Sequence, residues 1–472
     1  MKIKLKQPNS NFHHVLLISI VIFLLFFRAK YGLRMYGAGD DACYLSYLGR
    51  ILGTSLSECG DTLHAPGTIF IWLPLALITR LFTWIFNSDF KTWVVAGIGL
   101  STYFFWTISL YFLYDLSKDR IASLLGDKWW TRLLPLAMIA SSPLLYYITN
   151  RTSMAHGAEF FFSILFYWLM MKNRYYLAFF SAVLLLFTRY NNAPVIAVIF
   201  ARMLDLRKSP DRSSMPDRYF ILFYSAFFCI VGAFIAKKAF ISGYSNNGMG
   251  TFQDCIRNVD LFGNPWTYFT GFMTNASSGY LWTGGFWVLT FHLGLLYIFR
   301  LSWVSRIGLL WMFLNMIISL NWRGGDFGYR YLIGTYAPAI MLWLELAEML
   351  KKKKWFRWLS VSVIAFNSLW SLWLVWIIKT LPQVTFWIIA NGSWGNPTLQ
   401  IEALKLLANP VAALRPLALS PVPSIIYSWF LPDHPVFQKY ALDRAPLVLL
   451  TIVVTAMLIY LYSRLKRIKK PV

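Results

Sequence analysis

Apolar runs about the length of a membrane-crossing helix recur from one end of this chain to the other, and they limit its fold more than any other feature. They lie at 15–33, 67–86, 92–114, 133–149, 155–171, 175–201, 219–238, 284–300, 307–320, 331–350, 355–378 and 446–463. A helix needs roughly 20 such residues to cross about 30 Å of hydrocarbon, where no water is available to satisfy open backbone groups. The runs therefore predict an all-α polytopic membrane protein of about 12 transmembrane helices. Composition agrees: the 472 residues are 58% hydrophobic and 14% charged, with a mean hydropathy of +0.53, whereas soluble domains are nearer one-quarter charged. The 22 Trp and 26 Tyr suit helix ends at headgroup depth. The first run is apolar only to Phe27, so Arg28 and Lys30 would snorkel. Lys2, Lys4 and Lys6 precede it as in a signal peptide. No small-residue cleavage site follows, and the run reads as a retained span.

The net charge of +24 does not read as nucleic-acid binding, because no basic run is interleaved with stacking aromatics outside the apolar spans. Much of it lies in short connections, as the positive-inside bias and anionic lipid require. Lys2, Lys4 and Lys6 set the N-terminus inside. Arg202, Arg207, Lys208, Arg212 and Arg218 do the same for 202–218, and Arg300, Arg306 and Lys351 to Lys354 mark two later inner loops. Arg464, Lys466, Arg467, Lys469 and Lys470 set the C-terminus inside. Twelve crossings reconcile these if 175–201 is one long helix interrupted near Pro194. The loop at 115–132 then falls outside despite Lys118, Arg120, Lys128 and Arg132. The expected division is an N-terminal module at 1–238 with a first outer loop at 34–66, then an outer loop at 239–283. Transmembrane helices at 284–378, an outer-face interfacial segment at 379–445 and a last helix with basic tail at 446–472 complete it. Long connections kept in a compact protein are usually functional, so the working surface is expected on the outer face. Cys229 falls in an apolar run and reads as packing. Cys43, Cys59 and Cys255 fall outside, where one disulfide is open to them without a pairing being defined.

Acids number only 20 against 44 Lys and Arg, yet Asp40 and Asp41 stand side by side just past the first span. One reading is local: Asp40 caps a helix over 41–52 and Asp41 complements its dipole. The other is chemical: a carboxylate at the membrane boundary acts as general base, its basicity raised by partial desolvation and opposed by nearby cations. The helix would carry Tyr44, Leu48, Ile51 and Leu52 on one face, the pattern of a helix lying in the interface. His64, ahead of Pro66, is a substrate ligand or simply orders the turn into the second span. The short outer loop around Asn321–Tyr331 holds Gly324 and Gly325 between Arg323 and Arg330. Those arginines read either as headgroup contacts or as a phosphate clamp, because a guanidinium fork fits phosphate oxygens. Thr188-Arg189-Tyr190-Asn191-Asn192 interrupts an apolar run, as residues facing a cavity or partner do. Arg151, His156 and Glu159 read as a structural cluster. No Walker loop, dinucleotide fingerprint, zinc motif or nucleophile elbow is present, so no nucleotide cofactor is expected, and a divalent metal is left open without a residue cluster that indicates one.

The acid pair and tyrosine (Asp40-Asp41-Ala42-Cys43-Tyr44), His64-Ala65-Pro66 at the second span, and Gly324, Gly325, Gly328, Arg330 and Tyr331 together resemble the GT-C glycosyltransferases. The nearest type is the protein mannosyltransferase-like group that includes the aminoarabinose transferase of lipid A. The likeness covers about thirty residues by motif and the rest by span order. The chain departs from it in Asp41 where Glu is usual, in Ala65 where Pro is usual, and in Arg189 where Lys is common. The resemblance implies an inverting transfer from a polyprenyl-phosphate sugar to a glycan, lipid or protein acceptor on the outer face of a plasma or inner membrane. It implies Asp40 or Asp41 as base, with Tyr44, His64, Arg189, Arg323, Arg330 and Tyr331 binding substrate, and no metal. The competing expectations are a transporter or flippase for a lipid-linked glycan, although no internal repeat is visible, and a non-catalytic subunit of a glycan-assembly complex.

Overall fold

A computed structural model describes residue 16, residues 40–56, 66–86, 90–149, 154–208, 216–240, 280–321 and 330–380, and residue 408. The described residues form helices and turns with no strand among them. In chain order the helices are α1 (Asp40–Leu52), α2 (Ile69–Phe86), α3 (Phe90–Leu125), α4 (Leu134–Ala140), α5 (Leu144–Thr149), α6 (His156–Met171) and α7 (Tyr175–Thr188). They continue with α8 (Val195–Lys208), α9 (Arg218–Phe240), α10 (Tyr280–Leu296), α11 (Trp303–Asn321), α12 (Tyr336–Leu350) and α13 (Lys354–Thr380). Three 3-10 turns matter below: Pro66–Thr68, Tyr190–Asn192 and Arg330–Thr335. Among the described residues one helix, Pro66–Ile85, is by itself long and apolar enough to cross a membrane. Tyr175–Thr188, Gly284–Leu296 and Trp303–Ile317 are shorter apolar helices.

The 36 residues of α3 make a rod about 54 Å long at 1.5 Å per residue. Its first half packs antiparallel to α2, with the Trp72 indole donating to Thr102 Oγ1 at 3.1 Å and the Ser101 hydroxyl to the Ile71 carbonyl. Its second half runs parallel to α6: Phe105 meets Phe161 at 4.7 Å and Phe112 meets Trp168 at 4.6 Å between ring centres. The expected loop at 115–132 is thus helical through Leu125. Lys172-Asn173-Arg174 then reverses the chain, with Asn173 at φ 56°, a left-handed conformation that Asn tolerates. That turn sets α7 antiparallel to α6.

The run at 175–201 is two helices and not one. Arg189 is extended (φ −157°, ψ 128°), Tyr190–Asn192 is a 3-10 turn, and Pro194 cannot supply the amide a continuous helix needs. Tyr175, at the start of α7, hydrogen-bonds Arg202, in the second half of α8. Collinear helices would hold these residues tens of ångströms apart, so α7 and α8 fold back as a hairpin with Arg189–Pro194 at its tip. Each arm has 14 residues, about 21 Å. The expected span at 133–149 is likewise divided, at Ser141–Pro143.

At the end of the bundle away from that tip, polar contacts tie the helices into a collar. Asp115 takes Lys172 at 2.8 Å, Lys118 at 3.1 Å and the Trp168 indole at 3.0 Å. Tyr176 donates to Asp217, whose Oδ1 also caps α9 through the Phe220 amide at 2.8 Å. That backbone bond, together with the Tyr176 hydroxyl, holds the Asp217 carboxyl below the usual range. Asp205 on α8 accepts the Trp303 and Val304 amides of α11 at 2.8 and 3.1 Å. Glu345 on α12 accepts the amide and hydroxyl of Ser302, both at 2.6 Å, and the Ser305 hydroxyl. Arg120 on α3 acts electrostatically on Glu348 of α12. Residues 115–125 therefore share an end with 172–174, 202–208, 300–306 and 351–354. The basic connection that the twelve-crossing count leaves on the wrong side joins the other basic connections once α7 and α8 are separate helices.

The interior is aromatic: Trp72, Trp106, Trp287, Trp311 and Trp343 are fully buried. Their ring nitrogens find partners where they can, Trp287 on Thr335 at 2.8 Å and Trp343 on Ser360 at 3.1 Å. Large apolar side chains also face outward, with Trp84 81%, Phe299 91% and Leu369 69% exposed. Cys229 on α9 is an exposed free thiol, not the packing residue its apolar run suggests. Cys43 is disulfide-bonded. Its partner lies outside the described residues.

Candidate functional site

The polar residues that interrupt apolar runs converge at the tip of the α7–α8 hairpin. Glu159, in the first turn of α6, is completely buried. Its Oε1 accepts the Asn192 side-chain amide at 2.8 Å, and its Oε2 lies 3.1 Å from His156 Nδ1. The Gly334 backbone amide also donates to this carboxylate, and the charge of Arg189, itself 9% exposed, acts on it. A carboxylate removed from water in this way is retained only if hydrogen bonds and opposite charge replace the lost solvent. Here they come from the α6 N-terminus, the hairpin tip and the Arg330–Thr335 turn.

Two further links hold these segments, one between α6 and the Arg330–Thr335 turn and one from the hairpin tip to α11. The Ser163 hydroxyl donates to the Gly334 carbonyl at 3.1 Å. Asn191 donates its side-chain amide to Asn315 Oδ1, and Asn315 returns a bond to the Asn191 carbonyl at 3.0 Å. Gly334 fits because it has no side chain: a Cβ there would sit 2.2 Å from Asn192 Oδ1 and 2.5 Å from Glu159 Oε1. Among the described residues Asn192 Oδ1 has no hydrogen-bond partner.

The lead-in to α2 abuts this cluster from the other side. Gly67, buried, lies against the last turn of α7, and a Cβ on it would come within 2.5 Å of the Phe187 carbonyl carbon and the Thr188 nitrogen. The Pro66–Thr68 turn also packs on α1 and α6, and Tyr190–Asn192 packs on Arg330–Thr335. A continuous path of contact thus joins α1, the Pro66 turn, the hairpin tip and the Arg330 turn.

The sequence-derived candidates divide accordingly. Asp40 and Asp41 form the first two residues of α1, which starts one residue earlier than the expected helix over 41–52, and their side chains lie outside the described atoms. Tyr44 is 2% exposed and meets Trp72 edge-on at 6.1 Å. With Leu45 and Leu48 it forms the buried face of α1, whereas Ile51, expected on that face, is 58% exposed. Arg189 is at the cluster. Arg330 and Tyr331 open the turn that ends on Gly334 and Thr335, with side chains outside the described atoms. His64 and Arg323 lie outside the described residues, as do 241–279, 381–445 apart from residue 408, and all of 446–472. Among the described residues no group of three His, Cys, Asp or Glu could hold a metal ion.

Glu159 and His156 are the functional candidates that pattern reading leaves aside. The signal is present: Glu159 is the single acid between Asp127 and Asp205. His156 sits three residues before it on the same helix face. An acid and an arginine each isolated in an apolar run call for a common partner. No protein family, curated protein or solved structure matches this chain.

Proposed function

We propose that the chain is a multi-pass membrane glycosyltransferase that moves a sugar from a polyprenyl-phosphate donor to an acceptor on the outer membrane face. In this reading an acceptor hydroxyl or amine attacks the anomeric carbon while Asp40, or Asp41, takes its proton. The bond from that carbon to the phosphate oxygen breaks, and the phosphate leaves with the electron pair. Arg330, with Arg189 or Arg323, neutralises the leaving phosphate, an effect typically worth a few kcal/mol of barrier. Tyr44, His64 and Tyr331 complete the substrate contacts. No cofactor is needed, because the donor carries its own leaving group.

The observation that carries the reading is the unbroken packing from α1 through the Pro66 turn and the hairpin tip to the Arg330 turn. Four segments distant in sequence, each singled out for its polar chemistry, meet at one level of the bundle. The basic collar lies at the other ends of α7 and α8, which supports an inner-face assignment for the collar and an outer-face assignment for the site. The bonded Cys43 on α1 supports the same sidedness, since disulfides persist in oxidising compartments. Outward-facing Trp84, Phe299 and Leu369 are what lipid would cover. Incubating the purified protein with a panel of polyprenyl-phosphate sugars and following transfer or donor hydrolysis tests the reading. Turnover is expected with one donor and should vanish in Asp40→Asn at unchanged folding; a fully active Asp40→Asn protein would remove the base and its mechanism.

The buried Glu159 beside Arg189 at a helix break favours a second reading, a flippase for a lipid-linked glycan, because such transporters place interior charges at broken helices. Lipid translocation in proteoliposomes that persists in Asp40→Asn, without sugar transfer by wild type, would select it.

A further inference from the structure

We infer that Glu159 is a positioning residue that clips the Arg330–Thr335 turn onto the α7–α8 hairpin tip, so that Arg189 and the turn bearing Arg330 form one anion-binding site for the lipid phosphate. The inference rests on the donor class proposed above and adds a residue that neither the acid pair nor the arginines imply. One carboxylate bonds two segments remote in sequence, through the Asn192 side chain at 2.8 Å and the Gly334 amide, and its own helix contributes His156 at 3.1 Å. Fully buried, it leaves no route by which water could replace a lost partner. The near contact of Gly334 with both Asn192 and Glu159 allows no slack: a single added carbon would overlap both. A two-charge site for one phosphate needs its arginines held at fixed separation, and between hairpin and turn the clip is the charged element that fixes it. Glu159 does not itself meet the phosphate, since like charges repel. Its carboxyl group lies within electrostatic reach of the Arg189 guanidinium, and its hydrogen bonds set the backbone that carries Arg330.

The test uses the full chain in detergent, with undecaprenyl phosphate as the probe and thermal unfolding as the readout. Wild type should melt higher as the lipid phosphate is added, and neutral undecaprenol should have no such effect. Glu159→Gln keeps size and hydrogen-bonding atoms but loses the charge and one acceptor, and should weaken the apparent affinity at least tenfold. Asn192→Ala, which removes one strap and leaves the carboxylate, should give a smaller loss of the same kind and serves if Glu159→Gln does not fold. Glu345→Gln, at the collar, should respond as wild type does. Where turnover is measurable, Glu159→Gln should raise donor KM far more than it lowers kcat, a split that general loosening would not produce. No response of wild type to undecaprenyl phosphate overturns the donor class and this inference with it. A wild-type response that Glu159→Gln and Asn192→Ala retain in full overturns the positioning role alone.

Discussion

Replacing Gly67 by alanine probes the joint on which the whole site depends. The new Cβ would stand 2.5 Å from the Phe187 carbonyl carbon, 2.5 Å from the Thr188 nitrogen and 2.7 Å from the Phe187 oxygen. Carbon atoms rest about 3.5–4.0 Å apart, so the Pro66 turn and the end of α7 must separate by roughly 1 Å. All three neighbours are backbone, and none can rotate away. The last turn of α7 is also held by its own bonds, Arg189 N to the Leu185 carbonyl at 3.1 Å and Thr188 Oγ1 to the Leu184 carbonyl at 2.8 Å. Overpacking of this kind costs about 1–3 kcal/mol, and rigid partners place Gly67→Ala at the upper end. On a scale of about 2–4 °C per kcal/mol for a large domain, melting should fall by roughly 4–10 °C. Gly53→Ala is the contrast: φ is +67° and nothing lies within 4 Å, so only left-handed strain of about 1 kcal/mol is added. Thermal unfolding of both variants in one detergent, followed by tryptophan fluorescence, reads the difference. A Gly67→Ala protein that melts with wild type, or above Gly53→Ala, would refute the close approach and the path of contact built on it.

Two further outcomes test the collar. Asp205→Ala removes the acceptor for the Trp303 and Val304 amides and leaves the start of α11 dependent on Ser302 and Glu345, so stability should fall by about 1–2 kcal/mol in denaturant titration. Asp115 should impose an acid limit. Burial alone would raise its carboxyl, but the hydrogen bonds from Lys172, Trp168 and Lys118 outweigh that and hold it below its ordinary value. Its folded pKa is thus lower than the unfolded value of about 3.9. Its contribution is complete above about pH 3.9 and is lost as pH falls through the folded pKa. Asp115→Asn should therefore be less stable than wild type at neutral pH and converge with it in strong acid; a gap that is constant with pH would show that the ion pairs contribute nothing.

Helix content was legible from apolar length, with α2, α6, α11 and α13 on runs visible in the sequence, and α1 was legible from its acid start and apolar face. The hairpin was not, because residues 175–201 satisfy a length rule that is blind to direction. What divides them is local chemistry: Arg189 turns extended, two asparagines fill a 3-10 turn, and Pro194 gives no amide to the preceding turn. Those residues were noticed as polar interruptions, but a polar interruption does not reveal whether the chain bends or reverses. The long reach of α3 was hidden for the opposite reason. Asp115, Lys118 and Arg120 look like a loop by charge, yet Lys and Arg are good helix formers, and Lys172 and Glu348 engage Asp115 and Arg120 from elsewhere in the bundle. Tyr44 was legible as a helix-face residue and not as an interior one, because α1 buries Leu45 in place of Ile51.

The reversal at the hairpin tip also changes what the isolated charges mean. An arginine in the middle of one long crossing helix would need a partner at mid-membrane. At the end of two arms about 21 Å long, the same arginine sits away from the collar, at the level of the Pro66 turn. Non-helical backbone is tolerated inside a membrane where protein buries it, and here Asn315 bonds the Asn191 carbonyl while Glu159 takes the Asn192 side chain. Those bonds do more than satisfy the tip. Arg189 lies close to a buried carboxyl group, and the turn opened by Arg330 is held to the same group. An apolar tip would have been cheaper in stability, since buried charge clusters are often outdone by hydrophobic packing of equal volume. What an apolar tip could not supply is a charged tip packed on the Arg330–Thr335 turn, which the phosphate site proposed above would use.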